Sequence, residues 1–149
     1  MGPYHHILAP TDFSEPSRHA LDVAADLALV FGAKLTLMHA FEVPGYGYAG
    51  INYGPIDLVT PMQDAAKELL SKELEATRKK VPGAEAVLRL GLPWDKVIAV
   101  ATEISADLIV MGTHGRSGIK RALLGSVAEK VVRHSPLPVL TIRTAERSG

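Results

Sequence analysis

Asp107-Leu108-Ile109-Val110-Met111, followed at once by Gly112-Thr113-His114-Gly115, is the stretch whose reading decides the fold. A run this apolar is expected of a strand covered on both faces, as in a parallel sheet. The glycines stand at its carboxyl end, where open parallel sheets place their ligand crevice. Beyond the loop, Gly125-Ser126 opens a helix for which Ser126 is the predicted cap, with Glu129 completing a capping box. That helix ends near Ser135-Pro136, and Leu137-Pro138-Val139-Leu140-Thr141-Ile142 reads as the last strand.

Upstream, the same alternation of short apolar runs and helical stretches repeats. His6-Ile7-Leu8-Ala9 reads as a buried strand stopped by Pro10, and Ser14 as the cap of a helix that tolerates Pro16 in its first turn. Ala20, Val23, Ala24, Leu27 and Phe31 recur at helical spacing, and Gly32 supplies the stop. KLTLMHAF (34–41) is a second strand. Thr60-Pro61-Met62-Gln63 predicts the capped start of a helix running to about Lys80. Residues 84–90 make a third strand, and a helix follows Pro93 with Val97, Ile98, Ala101 and Ile104 as its stripe. The order βαβαβαβαβ implies a doubly wound, open parallel sheet with helices on both faces.

The 149 residues fit one domain, with 47% hydrophobic and 21% charged residues, which excludes a wholly disordered chain. Sixteen basic residues balance sixteen acidic ones. That balance argues against a non-specific nucleic-acid binder, which needs a cationic surplus to displace counterions. No cysteine occurs, so disulfides, thiolate nucleophiles and Cys-ligated metals drop out. No stretch is long and apolar enough to span a bilayer, and residues 1–6 lack the pattern of a signal peptide. A cytoplasmic protein is the expectation.

Two glycine-bearing segments compete for chemistry. Gly45-Tyr46-Gly47-Tyr48-Ala49-Gly50 spells G-x-G-x-x-G after a strand, but Gly54-Pro55 prevents the helix that the dinucleotide fingerprint needs at once. We reject it, and read residues 42–59, with Tyr46, Tyr48 and Tyr53, as a long flap. The loop after the fourth strand is different. Gly112 and Gly115 sit at the predicted crevice, and Gly125-Ser126 at a helix N-terminus whose free N–H groups suit an anion. Arg116, Lys120 and Arg121 add positive charge, so the loop suits a phosphate; the competing reading is glycines that merely shape a turn around a capping serine. Pro10-Thr11-Asp12 ends the first strand on the same edge. Asp12 there suits ribose hydroxyls or Mg²⁺, and equally a turn carboxylate. His114 lies inside the glycine loop; the histidines lack metal-ligand spacing. No G-x-x-x-x-G-K-[ST] occurs, so strong phosphoryl transfer lacks its usual lysine.

These residues resemble the universal stress protein family, in its ATP-binding type. The family signature G-x2-G-x9-G-[ST] stands intact as Gly112, Gly115, Gly125 and Ser126. HHILAPTDFS (5–14), LTLMHA (35–40) and DLIVMGTHGRSGIKRALLGSVAEKVVRHSPLPVLTIR (107–143) also fit, so the resemblance spans essentially the whole chain. It implies an open five-stranded parallel sheet of order 3-2-1-4-5, the adenine nucleotide alpha hydrolase-like arrangement, that binds ATP. The family's nucleotide contacts then fall on Pro10, Thr11 and Asp12, on Ala40 for the adenine, and on Met111, Gly112, His114, Gly115, Arg116, Gly125, Ser126 and Val127 for phosphate and ribose. The resemblance also implies a homodimer through the last strand. An apolar edge strand invites such pairing on physical grounds as well.

The expectation is therefore a nucleotide-dependent regulatory switch in stress response, using ATP with Mg²⁺ and at most weak hydrolysis. Two rivals stand beside it: a slow ATPase or phosphotransferase relying on His114 or Asp12 as base, and a chaperone-like scaffold dimer that uses no nucleotide.

Overall fold

The computed structural model describes residues 2–43, 57–114 and 124–144. Five strands, β1 (His6–Pro10), β2 (Lys34–Phe41), β3 (Glu85–Leu90), β4 (Leu108–Gly112) and β5 (Val139–Ile142), alternate with four helices. The helices are α1 (Glu15–Phe31), α2 (Val59–Arg78), α3 (Pro93–Glu103) and α4 (Ser126–His134). The strands form one parallel sheet, as their alternation with helices predicts, in the order β3-β2-β1-β4-β5 that the family resemblance implies.

Side chains alternate across the strands, so each strand feeds two cores. Ile7, Ala9, Leu35, Leu37, Leu108 and Val110 pack with α1 and α2, through Leu21, Ala24, Ala28 and Leu70. Leu8, Met38, Ala40, Ile109 and Met111 point the other way, onto Val97, Val100 and Ala101 of α3 and Ala128 and Val131 of α4. The four consecutive apolar residues of β4 serve both layers, which is why that strand reads as an unbroken hydrophobic run.

Two helix starts differ from expectation. Ser14 does cap α1, accepting from Ser17 N–H, and Gly32 ends it in the left-handed conformation at φ 65°. Thr60, however, lies inside the first turn of α2; the Asp57 carboxylate takes the N–H groups of Val59 (3.0 Å) and Thr60 (3.1 Å) instead. Ser126 is likewise the first residue of α4 rather than its cap, a position that falls to Gly125. The last strand is shorter than predicted, because Ser135 Oγ and the Leu137 backbone close a turn that delays it to Val139.

At the amino edge of the sheet, the Asp107 carboxylate accepts the N–H groups of His5 (2.8 Å) and His6 (3.0 Å), tying β1 to the start of β4. Burial pushes that carboxyl up, but the two N–H donors outweigh it and hold it below the usual carboxylate range. His6 Nε2 meets Thr36 Oγ1 at 2.8 Å, and burial lowers its imidazole below the ordinary histidine value. No described helix is long and apolar enough to cross a membrane.

Candidate functional site

The opposite edge opens because the strand order reverses at β1. β1 stays paired with β2 as far as Pro10↔Met38, yet it pairs with β4 only at Ile7↔Leu108 and Leu8↔Ile109. Pro10 has no N–H to extend the ladder. Past that point the chain from β1 leans onto β2: Thr11 N–H donates to Met38 C=O at 2.8 Å, and His39 Nδ1 donates to Thr11 C=O at 2.7 Å. A crevice is left between the ends of β1 and β4, the position where open α/β sheets hold ligands.

One side of the crevice is the β1–α1 turn. Asp12 Oδ1 accepts both the N–H (3.0 Å) and the hydroxyl of Ser14. Phe13, between them, sits at φ 67°, a left-handed conformation that a bulky side chain rarely adopts. Its side chain is buried, its ring lies 4.3 Å from that of His39, and its N–H donates to Thr11 Oγ1 at 3.0 Å. The strained residue is thus held from both ends.

The other side is the end of β4. A Cβ on Gly112 would lie 3.2 Å from the Pro16 carbonyl oxygen, so a side chain here would force the first turn of α1 and the strand apart by a few tenths of an ångström. Thr113 donates its N–H to Ile142 C=O at 3.1 Å and accepts that of Gly125 at 2.6 Å. This last bond brings the N-terminus of α4, with its unpaired N–H groups and positive dipole end, against the crevice. Because Ser126 does not cap the helix, its hydroxyl is not needed for that purpose. Thr113 Oγ1 and His114 Nδ1 lie 3.2 Å apart.

Together these elements enclose a cavity of about 300 Å³. Its wall contains Pro10, Thr11, Asp12, Ala40, Met111, Gly112, His114, Gly125, Ser126 and Val127, every site residue expected from the sequence that the structure describes. Gly115 and Arg116, with Lys120, Arg121 and the flap tyrosines, lie outside the described residues. The sequence reading missed Ser17, Met38, His39, Pro93, Val97, Thr113 and Ala128, which also line the cavity. Met38 and His39 could have been found from their position beside Ala40 at a strand end; Pro93 and Val97 carry no local signal. Trp94 packs against the α3/α4 core and stacks on His134 with ring centroids 4.9 Å apart.

Chemically, the cavity offers apolar lining that includes Met38, Ala40 and Val97, the carboxylate of Asp12 and the N-terminus of α4. Among the described residues, no group of three or more His, Cys, Asp or Glu could hold a metal ion.

Comparison with known proteins agrees with the architecture. A universal stress protein of Methanocaldococcus jannaschii, MJ0531, is 31% identical across 97% of this chain and 85% of its own length. Universal stress protein UspA from Lactobacillus plantarum superposes with a TM-score of 0.81 at 25% identity, covering 96% of this chain and all of that one. A universal stress protein crystallised in complex with cAMP superposes with a TM-score of 0.73 at 28% identity, over 97% of this chain and all of that one. Residues 3–143 match the universal stress protein family as a whole. Fold, crevice and family match converge, and the chain belongs to the universal stress protein family.

Proposed function

We propose that the protein binds an adenine nucleotide, ATP with Mg²⁺, in the cavity at the carboxyl ends of β1, β2 and β4, and that occupancy works as a regulatory switch in stress response. The carrying observation is the convergence of Pro10, Asp12, Ala40, Gly112, Gly125 and Ser126 on one cavity of about 300 Å³. That volume lies in the ordinary range of small-molecule sites. Ala40 would meet the adenine, Asp12 the ribose, and Gly112 with the α4 N-terminus the phosphates, where N–H groups and dipole favour anions. Gly115, His114, Arg116 and Val127 complete the proposed set. The cAMP complex of a structural neighbour supports the choice of an adenine nucleotide.

The residues fit Mg²⁺ only as a companion of the nucleotide. Among the described residues, Asp12 is the single carboxylate of the cavity wall, and Mg²⁺ commonly takes one or two carboxylates together with substrate phosphates. When bound, the ion would neutralise phosphate charge. Homodimerisation through β5 is part of the same reading: β5 is an edge strand, and Leu140 is 39% exposed on it. A cytoplasmic location is part of it too.

Titration calorimetry of the nucleotide-stripped protein with ATP and Mg²⁺ tests the proposal. Saturable binding at one site per chain, weakened at least about tenfold by Gly115→Val, is expected. Absence of binding to ATP, ADP, AMP and cAMP alike would overturn it.

A further inference from the structure

We infer that Glu73, on α2 and outside the cavity wall, is a positioning residue that holds the Asp12 turn in its binding shape through the Thr11 hydroxyl. The inference rests on the nucleotide reading above, because it assigns what tunes that site from behind.

Glu73 reaches the back of the turn, with its side chain only 11% exposed. Its Oε1 accepts from Thr11 Oγ1 at 2.8 Å, while Oε2 lies 3.5 Å from Arg18 Nε and is buried without a hydrogen bond. Thr11 is 5% exposed, so water does not substitute for these contacts. A hydroxyl has one hydrogen, and a carboxylate can only accept. Glu73 therefore claims the Thr11 hydrogen and turns the oxygen's lone pairs the other way. They face the Phe13 N–H at 3.0 Å and Ser17 Oγ at 3.1 Å. Ser17 Oγ in turn lies 3.4 Å from Asp12 N and 3.0 Å from Ser14 C=O.

The orientation of one hydroxyl thus sets the hydrogen bonds on both sides of Asp12. One of those bonds secures Phe13 at φ 67°, a conformation that persists only where its surroundings over-determine it. Without Glu73, the Thr11 hydroxyl loses its buried acceptor and is at liberty to turn its hydrogen toward Ser17, so the direction from which its oxygen meets the Phe13 N–H is no longer fixed. Partly satisfied buried networks of this kind lose definition as a unit. The Asp12 carboxylate, aimed by the same turn, would then lose its fixed approach to a ligand.

The test uses the full chain and two readouts. Glu73→Met keeps the length of the side chain and removes its acceptors; Glu73→Gln retains a carbonyl acceptor; Thr11→Val removes the donor. Affinity for ATP with Mg²⁺ is read by calorimetry at a temperature where urea titration shows each variant fully folded. Amide hydrogen exchange at Asp12, Phe13 and Ser14 is read without nucleotide. Glu73→Met is expected to bind ATP about tenfold more weakly, with faster exchange at Phe13, and Glu73→Gln to stay within about threefold of wild type. The double variant Glu73→Met/Thr11→Val is expected to lose no more than Thr11→Val alone, since Thr11→Val already cuts the link to Glu73. Should Glu73→Met fail to fold, Glu73→Leu, which also removes both acceptors, carries the same expectation. Wild-type affinity and exchange in folded Glu73→Met or Thr11→Val would overturn the inference, whatever happens to their stability. If wild type itself binds no ATP, the nucleotide reading falls, and unchanged exchange at Phe13 in Glu73→Met would separately remove the positioning role.

Discussion

Replacing Gly112 by alanine isolates one physical claim about the site, that the first turn of α1 and the end of β4 are in backbone contact. The added Cβ would stand 3.2 Å from the Pro16 oxygen, 3.3 Å from its carbonyl carbon and 3.4 Å from the His114 oxygen. All three are backbone atoms, so no flexible side chain can swing aside. β4 is pinned at this point by β5, with Gly112 paired to Ile142, and α1 is pinned by the Ser14 cap and the Pro16 ring. A shift of a few tenths of an ångström must be shared by two anchored elements. Overpacking of that kind costs about 1–3 kcal/mol. For a chain of 149 residues, a value near 2 kcal/mol lowers Tm by about 4–8 °C. The assay is thermal and urea unfolding of three Gly→Ala variants side by side. Gly83 has nothing within 4 Å of its would-be Cβ and no positive φ, so Gly83→Ala should be neutral or slightly stabilising by restricting the unfolded chain. Gly32 is equally uncrowded but sits at φ 65°, so Gly32→Ala should cost about 1 kcal/mol through backbone strain alone. The expected order of stability is Gly83→Ala, then Gly32→Ala, then Gly112→Ala. A Gly112→Ala protein within about 0.5 kcal/mol of Gly83→Ala would refute the close approach of helix and strand.

Two further outcomes follow from the rest of the structure. Ile109, fully buried in the interior strand β4, should cost about 3–4 kcal/mol when cut to alanine, read as a lower urea midpoint at unchanged slope. The amino edge of the sheet should make stability fall with acid in two windows. His6 is held below its ordinary value by burial, so full stability is present above about pH 6.5 and declines as pH falls from there through the folded value. Asp107 is depressed by its N–H donors, so its contribution is present above about pH 4 and disappears as pH falls through its lower folded value. Urea midpoints of wild type and Asp107→Asn should therefore differ by a constant amount above about pH 5 and converge toward pH 2; curves that stay parallel throughout would contradict the assignment.

Much of this molecule is written in short-range pattern. The unbroken apolar run at 108–111, the helical spacing from Ala20 to Phe31, the Ser14 cap and the Gly32 stop each depend on residues within about four positions of one another, so they can be read without knowing the fold. The parallel sheet follows from the alternation of such elements, its strand order from the family resemblance, and the sheet in turn locates the crevice at the strand ends. Finer positions along the chain escaped that logic. Thr60 and Ser126 have the chemistry of caps, but a cap is whichever residue the docked helix leaves half outside. α2 begins two residues earlier than the Thr60 cap implies, with Leu58 at its cap position and the Asp57 carboxylate taking the first N–H groups. α4 begins one residue earlier, with Gly125 at its cap position. Long-range partners escaped it altogether. Pro93 and Val97 reach the cavity only because α3 crosses the face on which Ala40 and Met111 point, and Glu73 meets Thr11 only because α2 docks beside α1. Local chemistry names the donors and acceptors a residue carries; which of them meet depends on strand register and helix docking, and those are settled by burying the whole apolar surface at once.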